Sequence, residues 1–238
     1  NMTSSAALIG IDWGTTSFRA YRIGADGRVV DSKSAQAGIL KVPEGQCGQG
    51  CEREVGPWLR DEPDLPVIAA GMITSRQGWV EVPYCPCPAG SVEIARALLR
   101  HQTGHGRTIH FVPGLSITGS DGVPDVIRGE ETQIIGEVGA AAGRRLLVLP
   151  GTHSKWATVD GGRIRSFSTV MSGEFYALLR QHSILARTLP PDDGALEEEA
   201  FDRGVAHAFE AGSLVQTAFS VRTLAEALTT KFPSFSRC

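Results

Sequence analysis

The chain has 238 residues, of which 42% are apolar, so it is long enough to form two small domains that each bury a hydrophobic core. Its formal net charge is −3 and its basic residues are scattered, which argues against a nucleic-acid-binding surface or a surface for anionic membranes. No apolar run approaches the roughly 20 residues that cross a bilayer, and the first residues lack the charged-then-apolar pattern of a signal peptide, so we expect a cytoplasmic protein.

The first predicted element is a buried strand that ends in an acidic residue. Residues 7–12 are apolar up to the final aspartate, and a tight turn with the sequence Gly-Thr-Thr-Ser follows at residues 14–17. Residues 18–23 and 28–32 are alternating segments separated by an Asp-Gly step, which is typical of a hairpin. The predicted order is therefore strand, Gly-Thr turn, strand, Asp-Gly turn, strand.

Two further buried strands are predicted in the middle of the chain. Residues 67–72 and 108–113 are apolar runs of strand length, and residues 91–102 form a helical segment between them. The order strand, helix, strand implies that the two strands pair in parallel through a right-handed crossover. Another helix is predicted over residues 129–142.

The pattern of the first segment returns in the second half of the chain. Residues 146–149 are an apolar run that leads into Gly-Thr-His-Ser at residues 151–154, and two strands around an Asp-Gly-Gly turn follow over residues 155–167. The order of three strands and two turns is the same in both places. We therefore predict an α/β protein made of two duplicated lobes, residues 4–142 and 143–238, which face each other.

The chain after residue 172 is predicted to be helical, over residues 174–187, 196–211 and 213–230. The first copy of the repeat is followed instead by two more apolar strands. We therefore expect the second lobe to be incomplete within this chain. The three glutamates at residues 197–199 indicate a solvated helix start and no chemistry.

The five cysteines do not indicate a disulfide framework, because their number is odd and no secretory signal is visible. They are Cys47, Cys51, Cys85, Cys87 and Cys238. A zinc site is not predicted, because one residue separates Cys85 from Cys87 where zinc-binding pairs usually have two to four. We expect reduced thiols.

The two Gly-Thr turns can supply what a phosphate chain needs, which is backbone N–H donors together with hydroxyl or ammonium groups. The first turn contains Gly14, Thr15 and Thr16, and the second contains Gly151, Thr152, His153, Ser154 and Lys155. Either turn alone could equally be an ordinary hairpin turn, but their matching places in the repeat favour phosphate binding. Lys155 is the better phosphate contact, because a lone histidine such as His153 is more often a hydrogen-bonded turn residue.

Asp12 is the candidate metal ligand, because it lies at the mouth of the first turn. A carboxylate there can hold Mg²⁺ directly or through water, which is how this ion usually meets phosphate. The same side chain could instead fasten the turn by hydrogen bonds. The residues alone leave both roles open.

Five segments, in their order along the chain, resemble one family. Residues 11–19, Ile-Asp-Trp-Gly-Thr-Thr-Ser-Phe-Arg, resemble the first phosphate motif of the actin/hexokinase-type ATPase superfamily. Four further segments narrow the resemblance to the 2-dehydro-3-deoxygalactonokinase family. They are Gly-Met-Ile-Thr-Ser-Arg-Gln-Gly-Trp at residues 71–79, Arg-Gly-Glu-Glu-Thr-Gln at residues 128–133, Pro-Gly-Thr-His-Ser-Lys-Trp at residues 150–156 and Phe-Ser-Val-Arg at residues 219–222. It extends from about residue 8 to about residue 235.

The resemblance implies that the γ-phosphoryl group of ATP is transferred, with Mg²⁺, to the 6-hydroxyl of 2-dehydro-3-deoxygalactonate between two ribonuclease H-like lobes. By likeness to the superfamily, Asp12 serves the metal, residues 14–16 form the first phosphate loop and residues 151–155 form the second. The superfamily's base is a carboxylate that opens the helix connecting the lobes. That position matches Glu131, with Glu130 as the neighbouring alternative. The superfamily's adenosine motif, in the C-terminal part of the second lobe, has no match here.

An acidic substrate also needs a cation in its pocket, and arginine suits a carboxylate because its planar fork contacts both oxygens. Arg76 follows the strand over residues 67–72, in a loop with Ser75, where α/β proteins tend to place ligand groups. Arg128, just before the predicted base, is the second candidate. Either arginine could instead form a surface ion pair.

Three functions stay open at this point: a kinase for 2-dehydro-3-deoxygalactonate, a kinase of the same superfamily for another sugar acid, and a sugar-acid-binding protein without catalysis. The expected partners are a small sugar acid and, for the kinases, ATP. Nucleic acid and membranes are not expected partners. Whether the chain forms a homo-oligomer is left open by the sequence.

Overall fold

The computed structural model describes residues 6–139, 143–192 and 194–229 as a mixed α/β protein. In chain order the strands are β1 (Ala6–Trp13), β2 (Phe18–Gly24), β3 (Val29–Ala35), β4 (Val67–Ala70), β5 (Cys85–Pro86), β6 (Ala89–Gly90), β7 (Leu99–Gln102), β8 (Thr108–Phe111), β9 (Leu115–Thr118), β10 (Pro124–Ile127), β11 (Arg144–Leu149), β12 (Ser154–Asp160) and β13 (Arg163–Val170). The α-helices are α1 (Cys47–Asp61), α2 (Ser91–Arg96), α3 (Glu130–Val138), α4 (Ser172–His182), α5 (Glu198–Ala211) and α6 (Leu214–Thr229). Short 3₁₀ helices cover Ile39–Lys41, Met72–Thr74 and Ile184–Arg187.

The largest sheet has six strands in the order β3-β2-β1-β4-β8-β7. Strands β1 to β3 form the predicted antiparallel meander, and β1, β4 and β8 run parallel, which confirms the predicted pairing of β4 with β8. Ile9, Ile11 and Trp13 on one face of β1 are buried in a cluster with Val55 and Trp58 of α1. Because the carboxyl ends of parallel strands meet at one edge, the residues that follow β1 and β4 come together there.

The second predicted repeat is also an antiparallel meander, formed by β11, β12 and β13, with β6 paired to β13. Ala157 of β12 and Ile164 of β13 are buried in a cluster with Ile134 and Val138 of α3. The strand order that was predicted twice is therefore confirmed. The duplicated and incomplete lobes stay predictions, although the described chain after β13 is helical as expected.

The predicted helix over residues 91–102 is wrong in its second half. Helix α2 ends at Arg96, and Leu99–Gln102 form β7, which pairs antiparallel with β8. Burial alternates along β7, with Leu99 and His101 more buried than their neighbours, so packing against β8 outweighs local helix preference. Of the helix predicted over residues 129–142, α3 covers Glu130–Val138, and residues 140–142 lie outside the described residues.

The described chain divides into two compact units. The larger comprises the described residues up to Pro150 together with Ser154–Val170, and it contains all three sheets and helices α1 to α3. The smaller comprises Gly151–His153 and the described residues from Met171 onward, with helices α4 to α6. The domain boundary expected after residue 142 stays a prediction. No described helix combines the length and the apolar character that a membrane span requires.

The described cysteines carry free thiols, as the sequence predicts, and Cys238 lies outside the described residues. Cys47 and Cys51 belong to α1, a helix that the sequence analysis missed. Burial raises the pKa of the Cys51 thiol to about 12, so this side chain is protonated and unreactive at neutral pH. These thiols pack the core and contribute no chemistry to the site described below.

Candidate functional site

Hydrogen bonds to its carbonyl oxygens hold the first Gly-Thr turn in place. The carbonyl oxygens of Gly14, Thr15 and Thr16 accept hydrogen bonds of 3.0, 3.2 and 3.1 Å from N–H groups of residues 38–40. Within the described part of the chain, the N–H groups of Thr15 and Thr16 donate to no other group, and both residues are exposed. A turn that presents N–H groups to solvent while its carbonyls are occupied can bind an anion. This geometry therefore supports the predicted first phosphate loop.

Gly38 allows residues 38–40 to lie close to the backbone of the first Gly-Thr turn. A Cβ atom at this position would lie 2.3 Å from the carbonyl oxygen of Thr15 and 2.3 Å from the carbonyl carbon of Thr16. Such distances are well inside van der Waals contact, so any larger residue must displace the backbone of the turn. Gly38 is a site residue that the sequence analysis missed.

The family resemblance implies that this turn binds ATP, so we expect Gly38→Ala to raise the KM for Mg-ATP by about 10- to 100-fold, because a displacement of about 1 Å misplaces the N–H groups of the turn. The control is Gly104→Ala, where a Cβ meets no atom within 4 Å. Steady-state kinetics give the KM, and the melting temperature reports whether each variant is folded. An unchanged KM in folded Gly38→Ala protein would show that this turn does not bind the nucleotide.

The second Gly-Thr turn shares two of these features within the smaller unit, a hydrogen-bonded carbonyl and a close glycine. The carbonyl oxygen of Thr152 accepts a 3.0 Å hydrogen bond from the Glu174 N–H, and a Cβ on Gly173 would lie 2.5 Å from the carbonyl oxygen of Gly151. Gly173 comes three residues after the end of β13, as Gly38 comes three residues after the end of β3. The repeat therefore continues past its third strand, and a longer comparison of the two copies would have revealed both glycines.

The remaining residues of the second turn differ in their surroundings. His153 is exposed, and its Nε2 atom lies within hydrogen-bond distance of the Glu174 carboxylate, which fits the turn role expected for a lone histidine. Ser154 and Lys155 are buried at the start of β12 and belong to the larger unit. The five predicted loop residues are thus shared between the two units.

Asp12 lies next to Gly71, at the carboxyl edge of the large sheet. A Cβ on Gly71, just after β4, would lie 3.2 Å from Asp12 Oδ1, and a Cβ on Gly129 would lie 3.3 Å from the Cα of Gly71. Both glycines have positive φ angles, 94° and 110°. The Asp12 carboxylate is 40% exposed and lies 3.5 Å from the guanidinium of Arg19, its cross-strand neighbour. Gly71 therefore lies between this solvent-accessible carboxylate and Gly129, the residue before α3.

Glu131 is fully buried in the first turn of α3. Its carboxylate accepts hydrogen bonds from the Gly129 N–H at 2.7 Å and from the Thr132 hydroxyl at 3.1 Å. Burial raises the pKa of this carboxyl from 4.5 to about 7, because desolvation outweighs these hydrogen bonds. A carboxylate with a pKa near neutrality suits a general base. To accept a proton from a substrate hydroxyl, it must first give up the hydrogen bond from Gly129 or from Thr132.

Glu130, the alternative base, has a more open position. Its side chain is 27% exposed and accepts a 2.9 Å hydrogen bond from the Arg128 N–H. The ammonium of Lys155 lies 3.9 Å from Glu130 Oε1, so the predicted phosphate contact on β12 comes next to the start of α3. The structure thus brings both glutamates and Lys155 to one place in the larger unit.

The guanidinium of Arg128 is hydrogen-bonded to other residues of the chain. Its guanidinium donates to the carbonyl and hydroxyl oxygens of Thr74 at 2.6 and 2.7 Å and to the carbonyl of Val82 at 3.0 Å, and it stacks over the ring of Tyr84 at 4.3 Å. These contacts fasten the loop after β4 to the segment before α3. The substrate contact expected of Arg128 stays a prediction, because the buried Nε atom of this guanidinium has no hydrogen-bond partner among the described residues.

Arg76, by contrast, has a solvent-exposed side chain. Its side chain is 86% exposed, and its nearest charged partner is Glu81, with Nε 3.5 Å from the carboxylate. Ser75 donates its hydroxyl to the carbonyl oxygen of Met72 at 2.7 Å, which closes the turn that precedes Arg76. Arg76 thus forms an exposed ion pair, the alternative considered from the sequence, and its contact with the substrate stays a prediction.

Two open cavities lie in the larger unit, and no predicted site residue lines either. One, of about 410 Å³, runs between α1 and the β7–β8 hairpin beside Trp79. The other, of about 600 Å³, separates the β9–β10 hairpin from β13 and includes Asp125 and Thr169 in its wall. The convergence of Asp12, the first turn and α3 identifies the candidate site better than cavity volume does, because it brings together the groups that phosphate chemistry requires.

Comparison with known proteins agrees with the family that the motifs resemble. The family described as 2-keto-3-deoxy-galactonokinase matches residues 12–234. The 2-dehydro-3-deoxygalactonokinase of Escherichia coli (strain K12) is 36% identical over 218 residues, which are 92% of this chain and 71% of that protein. A Rhizobium meliloti (strain 1021) protein named as a probable enzyme of the same kind is 35% identical over 225 residues, which cover 93% of this chain and 72% of that one.

A solved structure has the same fold. The crystal structure of a 2-dehydro-3-deoxygalactonokinase candidate from Sinorhizobium meliloti superimposes with a TM-score of 0.76 at 34% sequence identity. The superposition covers 95% of this chain and 73% of that one. The arrangement of strands and helices described above is therefore the arrangement found in a relative of clear sequence similarity.

Proposed function

The chain belongs to the 2-keto-3-deoxy-galactonokinase family, and from that premise we propose that it transfers the γ-phosphoryl group of ATP to the 6-hydroxyl of 2-dehydro-3-deoxygalactonate. The observation that carries the proposal is the convergence of Asp12, the first Gly-Thr turn and the two glutamates of α3 at one edge of the large sheet. Phosphoryl transfer needs positioning and charge neutralisation, and this edge offers N–H donors, carboxylates and an ammonium.

We propose that each Gly-Thr turn is a phosphate-binding loop. In the first turn, Thr15 and Thr16 offer N–H groups that have no other acceptor among the described residues, together with their hydroxyls, while Gly14 donates its N–H to the Ser17 carbonyl at 2.9 Å. In the second, Gly151, Thr152 and Ser154 would act with Lys155, while His153 is held by Glu174. The shared use of a glycine three residues after the third strand supports a common origin of the two turns by duplication.

Asp12 is the proposed ligand of Mg²⁺, which when bound neutralises charge on the phosphates. The donor set fits this ion, because Mg²⁺ usually takes one or two carboxylates and completes its shell with phosphate oxygens and water. Among the described residues, no cluster of three or more His, Cys, Asp or Glu side chains forms an all-protein metal cage. The Arg19 guanidinium lies 3.5 Å from the Asp12 carboxylate and helps to orient it.

Arg76 is the proposed contact of the substrate carboxylate, with Ser75 holding its turn. We expect Arg76→Ala to raise the KM for the sugar acid by about 10- to 100-fold with little change in the KM for Mg-ATP, because a charge-assisted hydrogen bond is lost. Arg76→Lys is the matched control, since it keeps the charge and removes the planar fork. If Arg76→Ala keeps the wild-type KM for the sugar acid, Arg76 is not the carboxylate contact.

The function is tested by an ADP-release assay with Mg-ATP and a panel of 2-keto-3-deoxy sugar acids that includes the galactonate and gluconate derivatives. The Escherichia coli relative serves as the positive control. Preferred turnover of the galactonate derivative supports the proposal, and preferred turnover of another acid assigns a different substrate. Sugar-acid binding in calorimetry without ADP release would identify a binding protein and reject the kinase function for this chain.

A further inference from the structure

Lys155 is a buried ammonium with too few partners. Only 7% of the residue is exposed, and its Nζ donates to the Thr169 hydroxyl at 3.1 Å and lies 3.9 Å from Glu130 Oε1. No other partner of this ammonium occurs among residues 6–139, 143–192 and 194–229. An ammonium has three donors, and a buried charge is costly unless its donors are used. The remaining donors are therefore available to an anionic ligand.

The orientation of Lys155 is determined by a directed chain of hydrogen bonds. The Thr169 hydroxyl donates its single hydrogen to Asp125 Oδ1 at 2.8 Å, and the Thr169 N–H donates to Asp125 Oδ2 at 2.7 Å. An ionised carboxylate can only accept, so the hydroxyl hydrogen points to Asp125. The Thr169 oxygen consequently presents a lone pair to Lys155, which is the direction that an ammonium donor requires.

We propose that Asp125 and Thr169 are positioning residues, which hold the Lys155 ammonium beside the start of α3 so that it binds a phosphate oxygen of the nucleotide. This inference rests on the proposed kinase function. Asp125 belongs to β10 and Thr169 to β13, so the same bonds fasten the β9–β10 hairpin to the sheet that carries Lys155. Neither residue touches the reacting atoms in this role.

The test compares Thr169→Val with Thr169→Ser. Valine has the shape of threonine without the hydroxyl, and serine keeps the hydroxyl. For Thr169→Val we expect kcat/KM for Mg-ATP to fall by about 10- to 100-fold, the effect of losing one hydrogen bond to a charged group. Thr169→Ser should stay close to the unsubstituted chain. Calorimetry with Mg-tripolyphosphate supplies a readout that does not depend on turnover, and the Kd should rise in Thr169→Val but not in Thr169→Ser.

Asp125→Asn and Asp121→Asn form a matched pair on the same hairpin. Asp121 accepts a hydrogen bond from the Val123 N–H of its own turn, whereas Asp125 accepts hydrogen bonds from Thr169. We expect Asp125→Asn to weaken tripolyphosphate binding and Asp121→Asn to leave it unchanged. Equal effects of the two, or equal effects of serine and valine at position 169, would overturn the proposal in favour of a structural role.

Failure of the positioning role can be distinguished from failure of the kinase function. If the unsubstituted chain binds Mg-tripolyphosphate but phosphorylates no sugar acid, the kinase function fails, while the comparison of Thr169 variants still tests the positioning role. If the chain phosphorylates the sugar acid and Thr169→Val keeps the kcat/KM for Mg-ATP, the positioning role fails and the kinase function stands.

Discussion

Glu131→Gln should lower kcat for the sugar acid by about 100- to 10,000-fold, the contribution of a general base, with little change in KM. Glutamine has nearly the same shape but cannot take the proton of the acceptor hydroxyl. Desolvation raises the pKa of Glu131 to about 7, so the ionised form is available near neutral pH and is a stronger base than an ordinary carboxylate. Below this pH, kcat of the unsubstituted enzyme should fall about tenfold per pH unit.

Glu130→Gln is the matched control for this experiment. Glu130 neighbours Lys155 and accepts a hydrogen bond from the Arg128 N–H, so its replacement should lower kcat by about 10-fold through lost positioning. Steady-state kinetics of both variants at saturating Mg-ATP decide between the two glutamates. A larger loss in Glu130→Gln than in Glu131→Gln would transfer the base role to Glu130, the more exposed of the two.

The strands of both repeats were predictable because their signals are local. Alternating side chains and Gly-containing turns specify β1 to β3 and β11 to β13, and Gly27 has the positive φ of 78° that its turn requires. Helix α1 was missed because Gly50, Gly56 and Pro57 lower its helix propensity. Its formation depends on the burial of Val55 and Trp58 against the large sheet, a tertiary effect that a local pattern does not contain.

The candidate site shows the same division. The motif around Asp12 and the pair Glu130 and Glu131 could be located from sequence, because neighbouring residues form them. The bond between Asp125 and Thr169 joins residues that are 44 positions apart, and no local pattern indicates it. Arg128 illustrates a different limit, since sequence shows an arginine beside the site but not that three of its hydrogen bonds go to Thr74 and Val82.

The raised pKa of Glu131 also has a consequence for stability. The folded protein holds the proton more tightly than the unfolded chain, whose glutamate pKa is near 4.5, so the free energy of unfolding should fall as pH rises through the window from 4.5 to about 7. Below this window the contribution is fully present, and above it about 3 kcal/mol is lost. Glu131→Gln has no titrating group at this position. Its free energy of unfolding should therefore rise by about 3 kcal/mol relative to that of the unsubstituted protein as the pH rises through the window.

Urea unfolding of the two proteins at pH values on both sides of the window measures this difference, and groups common to both cancel. The repulsion from Glu130 is the smallest cause of the pKa shift, so Glu130→Gln should reduce the pH dependence only slightly. A difference between Glu131→Gln and the unsubstituted protein that is constant across the window would mean that Glu131 is ionised when buried. In that case the residue would already be charged below neutral pH, and the loss of kcat at acid pH would have to come from another group.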